Sequence, residues 1–94
     1  MAITKDEIRI FTHQFSEMIR EGTALVPGLS SLAQQQENPE LQQVISQVNK
    51  DVQAGGTLSR AMSKHTEAFD EKYITTVRYG EIYGILDETL QRLV

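Results

Sequence analysis

The sequence has no cysteine and no tryptophan, and only two prolines, six glycines and two histidines among its 94 residues. Without thiols there can be no disulfide framework, no thiolate metal site and no cysteine nucleophile. His13 and His65 are too few and too far apart in sequence to suggest a zinc centre, which takes three or four protein ligands. No apolar run approaches the ~18 residues of a membrane span, and no basic-then-apolar targeting pattern opens the chain. Positive charge is also scarce. Nine basic residues face thirteen acidic ones, for a net charge of −4 and a pI near 5.0. Such a chain repels phosphate backbones and anionic headgroups unless its cations segregate on one face. Here Arg9, Arg20, Lys50, Arg60, Lys64, Lys72, Arg78 and Arg92 are scattered singly. The expectation is a soluble single domain, residues 1–94, that binds no nucleic acid.

What is present is helical periodicity. Thr4-Lys5-Asp6-Glu7 has the capping-box arrangement. Ile8, Phe11, Phe15, Met18 and Ile19 follow at steps of three and four until Gly22, placed for a left-handed cap. A second helix is expected from Thr23, with Pro27 in its first turn and a stripe of Leu25, Leu29, Leu32 and Ala33. Asn38, Pro39 and Glu40 start a third, carrying Leu41, Val44, Ile45, Val48 and Val52 to a stop at Gly55-Gly56. Thr57 caps a short fourth with Leu58, Ala61 and Met62, ending about Lys64. Asp70 caps a fifth with Tyr73, Ile74 and Val77, and a sixth with Leu86, Leu90 and Leu93 follows Gly84. Ile74-Thr75-Thr76-Val77 is the best strand candidate, yet the spacing around it is helical. The fold class is all-α: a compact bundle of about six short helices, largely antiparallel to their neighbours. Its core is expected to include Phe15, Leu29, Val48, Leu58, Phe69 and Leu90.

The motifs that carry chemistry are missing. His13 and Glu17 share a helical spacing but no third ligand joins them. Glu67, Asp70 and Glu71 lack the alternating carboxylates and central glycine of a calcium loop. Gly55-Gly56-Thr57 has neither the lysine nor the preceding strand of a phosphate loop. Ser59 has no base near it in sequence. No catalytic, cofactor or metal residue is assigned, and the reading is of a protein that is not an enzyme.

The glycines are more specific. The run from Phe15, Met18 and Ile19 to Gly22, then Leu25 and Leu29, continues through Val48 and Val52 to Gly55, Leu58-Ser59 and Ala61. Phe69, Tyr73 and Val77 lead to Gly80-Glu81, Gly84 and Leu86, with Leu90 and Leu93 beyond. From about Phe11 onward this order and spacing resembles the F domain of type II secretion and type IV pilus systems, the cytoplasmic module of a polytopic inner-membrane platform protein. Tyr83 stands where serine is common in that family, and Ala68 and Asp70 flank Phe69 where proline is common. Both departures suit a divergent, pilus-biogenesis branch.

The resemblance implies a first cytoplasmic domain of a longer protein, joined to the bacterial inner membrane only through spans outside this segment. It implies a non-catalytic scaffold that contacts the assembly ATPase and other inner-membrane components, with pilin and a second copy of the domain as further candidate partners. The runner-up is an unrelated helical adaptor that binds a partner helix. Within the Gly80–Leu86 motif, Gly80 and Gly84 are expected where helix five ends and helix six approaches. Glu81 has four readings: pairing with Arg78, accepting hydrogen bonds from the N-terminal amides of helix six, meeting a cation on a partner or second subunit, or helping to collect a divalent ion at an inter-subunit surface, for which one carboxylate alone makes no site.

Overall fold

Thr4 starts the first helix with a reciprocal cap. Its Oγ1 accepts the Glu7 N–H at 3.1 Å, and the Glu7 carboxylate accepts the Thr4 N–H at 2.9 Å. The computed structural model describes residues 2–94. Six helices follow in order: α1 Lys5–Arg20, α2 Leu25–Gln35, α3 Pro39–Gln53, α4 Leu58–Met62, α5 Glu71–Tyr83 and α6 Leu86–Gln91. No strand occurs among the described residues, and Ile74–Val77 lies inside α5. Asn38, Thr57 and Asp70 cap α3, α4 and α5 through their side chains.

The second helix departs from expectation. It begins at Leu25 rather than Thr23, because Thr23 is taken up in closing α1. Its N–H donates to the Met18 carbonyl at 3.0 Å and the Gly22 N–H to Ile19 at 3.1 Å, the paired bonds of a Schellman cap. Ala24 stands at the N-cap with no side-chain hydrogen bond. The fourth helix also stops early, at Met62, where the Ser63 hydroxyl donates to the Arg60 carbonyl at 2.6 Å.

Each helix packs on the next, and α6 returns to pack on α1, so the order closes on itself. The six residues expected in the core are all buried, and Leu29 and Leu90 have no exposed surface. An aromatic chain links the N-terminal helix to the segment before α5. Ring centroids are 5.6 Å apart for Phe11 and Phe15, 6.3 Å for Phe11 and Phe69, and 5.0 Å for Phe69 and Tyr73. The buried Tyr73 hydroxyl lies 2.7 Å from Thr12 Oγ1, which itself donates to the Ile8 carbonyl. The tyrosine is therefore the donor in that pair. Burial pushes its phenol well above the ordinary range.

Glu7 serves a second element besides its own cap. Asn38 is 2% exposed, and its Nδ2 donates to Glu7 Oε1 at 3.1 Å and to the Ala2 carbonyl at 3.2 Å. Its Oδ1 meanwhile accepts the Glu40 N–H at 3.0 Å. The backbone bond from Thr4 and the Asn38 amide hold the Glu7 carboxyl below its ordinary 4.5. A depressed carboxyl contributes stability above its unfolded pKa and loses it as pH falls through the folded one. Glu7→Gln is therefore expected to flatten the fall in melting temperature below about pH 4.5. Melts from pH 7 to pH 3 that keep the parent's acid limb would remove Glu7 from that role.

Candidate interaction surface at the end of the fifth helix

The last turn of α5 faces two neighbouring helices and the outside. Gly80 is buried against α6. A Cβ built on it would collide with Thr89 Oγ1 and would stand 2.9 Å from the Leu86 Cα, closer than real Cβ contacts come. The missing side chain is thus the space into which α6 packs. Thr89 is 1% exposed and its hydroxyl donates to the Leu86 carbonyl at 3.1 Å, so nothing there can swing aside freely. Gly84 ends the helix at φ +67°, a left-handed conformation that residues with a Cβ adopt rarely. The Gly80 carbonyl accepts the Ile85 N–H at 2.9 Å across that turn, and Leu86 opens α6 immediately after it. Gly80, Gly84 and Leu86 together form a tight corner between two packed helices.

Glu81 points the other way, toward α4. Its carboxylate accepts the Leu58 N–H at 2.8 Å and the Ser59 N–H at 3.2 Å. The Thr57 side chain takes the Arg60 N–H at 3.2 Å, and the Thr57 carbonyl takes that of Ala61 at 3.0 Å. The Leu58, Ser59 and Arg60 amides, which precede the first intrahelical bond of α4, are therefore satisfied, two of them by a residue more than twenty positions away. This corrects the expectations for Glu81. The amides it meets are those of α4, not α6, and Arg78 forms no ion pair with it. Both of its oxygens are engaged inside the domain, at a half-buried position.

The other sequence-flagged positions scatter through the framework. Phe15, Leu58, Ser59, Ala61 and Phe69 are buried, Leu25 is half-buried, and Gly22 and Gly55 close α1 and α3. Ser59 is 3% exposed, so its hydroxyl is not presented to solvent. His13 is exposed. His65 Nδ1 lies 3.5 Å from Glu67 Oε1, while Glu17 pairs with Arg20 at 3.6 Å. Among the described residues no group of three or more His, Asp or Glu could hold a metal ion, and no helix is long and apolar enough to cross a membrane.

The third direction is outward, and sequence reasoning passed over it. Tyr79, Ile82 and Tyr83 are 50%, 68% and 63% exposed, with the two tyrosine rings 4.6 Å apart. They recur at the three- and four-residue steps of an apolar stripe, but on the face opposite the buried Tyr73, Ile74 and Val77. That two-sided pattern was the available signal.

The corner at Gly80–Leu86 ties α4, α5 and α6 together, and the outer face of α5 beside it is apolar and exposed. The family model for protein F of the type II secretion system (T2SS) matches residues 11–94. The chain belongs to that family. It is 40% identical over 87 residues to a type IV pilus assembly protein PilC of Myxococcus xanthus, covering 93% of this chain and 21% of the relative. A PilC of Thermus thermophilus is 38% identical over the same shares. A type II secretion system protein F of Vibrio cholerae is 31% identical over 97% of this chain and 22% of its own length. The chain thus spans about a fifth of the length of these relatives.

Proposed function

We propose that this protein F domain is a non-catalytic scaffold module of an inner-membrane platform for type IV pilus assembly or type II secretion. In this reading it is one cytoplasmic domain of a longer polytopic chain, anchored by spans outside residues 1–94, and it contacts the assembly ATPase and accessory components. The observation that carries it is the use of the family motif. Gly80, Glu81, Gly84 and Leu86 are all engaged in fixing three helices against one another. A domain whose most distinctive residues fix its shape is suited to transmitting or receiving force at its surface. The family match over residues 11–94 supports placing it in such a machine.

The test is an in-frame deletion of this domain from the full-length chain in its own host. Piliation or secretion is scored beside the amount of chain remaining in the membrane fraction. Loss of assembly with the remainder still in the membrane is expected, together with loss of ATPase co-purification. Intact assembly, or undiminished ATPase recovery, overturns the reading.

A further inference from the structure

The outer face of α5 carries exposed side chains that make no hydrogen bond or ion pair across the fold among the described residues. Of the five large hydrophobic side chains exposed among the described residues, Tyr79, Ile82 and Tyr83 share this face, while Ile10 and Val94 lie singly elsewhere. Lys72 and Thr75 continue the same strip toward the start of the helix at steps of three and four, and Arg78 lies one turn before Ile82. Both cations are exposed, and neither lies within ion-pair distance of a carboxylate among the described residues. The carboxylates along this helix are committed elsewhere or sit at its start. Glu81 holds the α4 amides, Asp70 caps Tyr73, and Glu71 lies in the first turn. In a chain of net charge −4, an apolar strip edged by two unpaired cations and one exposed carboxylate, Glu71, is locally positive.

We propose that this strip docks an amphipathic helix of another component, one that carries aspartate or glutamate beside its apolar ridge. The inference rests on the scaffold role above and names its surface. A side chain of Tyr size at half to two-thirds exposure leaves on the order of 100–150 Å² in the open, so the trio offers on the order of 300–400 Å². That is well short of the ~800 Å² per partner of a standard interface, so a second copy seated on this strip alone would not hold. A single helix of another chain packed along α5 can run past the trio over Thr75 and Lys72. Its i, i+3, i+4 and i+7 side chains would interleave with the Tyr79–Ile82–Tyr83 ridge. Carboxylates flanking that ridge would reach Lys72 and Arg78, steering approach and fixing register.

The experiment places a photo-reactive benzoylphenylalanine at position 82 of the full-length chain in its host and maps the adduct by mass spectrometry. The expected adduct lies in a helical segment of a different chain, with Asp or Glu within one turn of its apolar positions. An adduct to a second copy, to lipid or to a helix without acidic residues overturns the proposal, and so does no adduct. Lys72→Glu with Arg78→Glu is expected to lower adduct yield about tenfold or more. An unchanged yield removes the acidic partner. Ile82→Lys without the probe is expected to abolish assembly while the melting temperature of the 94-residue chain moves by no more than ~2 °C, since the position is mostly exposed. Should that variant melt early, Ile82→Gln replaces it. If domain deletion abolishes assembly but these substitutions do not, the scaffold reading stands and the docking strip falls. If deletion itself is silent, the scaffold reading falls first.

Discussion

Replacing Gly80 by alanine is expected to destabilise this domain by about 1–3 kcal/mol, against the usual sign for such a change. In an exposed helix interior the same substitution gains about 1 kcal/mol from helix propensity. Here the new methyl would meet Thr89 Oγ1 and, at 2.9 Å, the Leu86 Cα. The second contact decides the outcome. A side chain can rotate, but a Cα moves only if α6 moves, and α6 holds Leu90 and Thr89 in the core at 0% and 1% exposure. Displacing it uncovers apolar surface on α1 and α5 together, the two elements it packs against. For a domain of this size about 1 kcal/mol corresponds to roughly 4–8 °C, so thermal melts should fall by on the order of 10 °C. Limited proteolysis should cut first within residues 84–94. A melting temperature equal to or above the parent's would show that α6 is not seated against Gly80. Gly84→Ala would act differently, by forcing a left-handed turn on a residue with a Cβ where nothing lies within 4 Å to collide.

The helices were legible because their ends are written locally. Thr4 with Glu7, Asn38 with Pro39, Thr57 and Asp70 each cap the helix they were expected to cap. The spacing of Phe11 and Phe15, or of Leu41, Val44, Ile45 and Val48, gave the buried faces. Thr23 misled because it fits two roles, and the backbone used its N–H to close α1 before a new helix could begin. The corner at Gly80 and Gly84 was legible as a corner for the same local reason: paired glycines near a helix end are costly without a use. What the sequence does not encode locally is where a side chain goes across the fold. Nothing near Glu81 in the chain announces Leu58 and Ser59, since the contact spans more than twenty residues and depends on how α4 and α5 lie together. The open strip was hidden for another reason. Tyr79, Ile82 and Tyr83 follow helical spacing as faithfully as a core stripe does, and only the packing reveals which stripe is buried.

Removing the Glu81 carboxylate should be the second large loss. Glu81→Ala leaves the Leu58 and Ser59 N–H groups without their acceptors at the start of a five-residue helix. A hydrogen bond to a charged group contributes about 1.5–3 kcal/mol, and an unsatisfied buried donor costs about 1–3 kcal/mol. A loss of about 2–3 kcal/mol is therefore expected, partly relieved where water reaches the half-buried site. It would fall on an element that cannot stand alone, because a single helical turn does not repay its own nucleation. What keeps α4 folded is its end caps and the burial of Leu58, Ala61 and Met62, at 2%, 2% and 0% exposure. Glu81→Gln retains an acceptor oxygen but not the charge, so it should lie between the parent and the alanine variant. Amide exchange separates this from a partner-binding role. The Leu58 and Ser59 amides should exchange much faster in Glu81→Ala, with Glu81→Gln intermediate, while those of α1 and α3 follow only the global loss. In the full-length chain, assembly function and domain melting temperature should decline together across the two variants. Lost assembly at an unshifted melting temperature, with Leu58 and Ser59 still protected, would mean that the carboxylate meets a partner instead of holding α4.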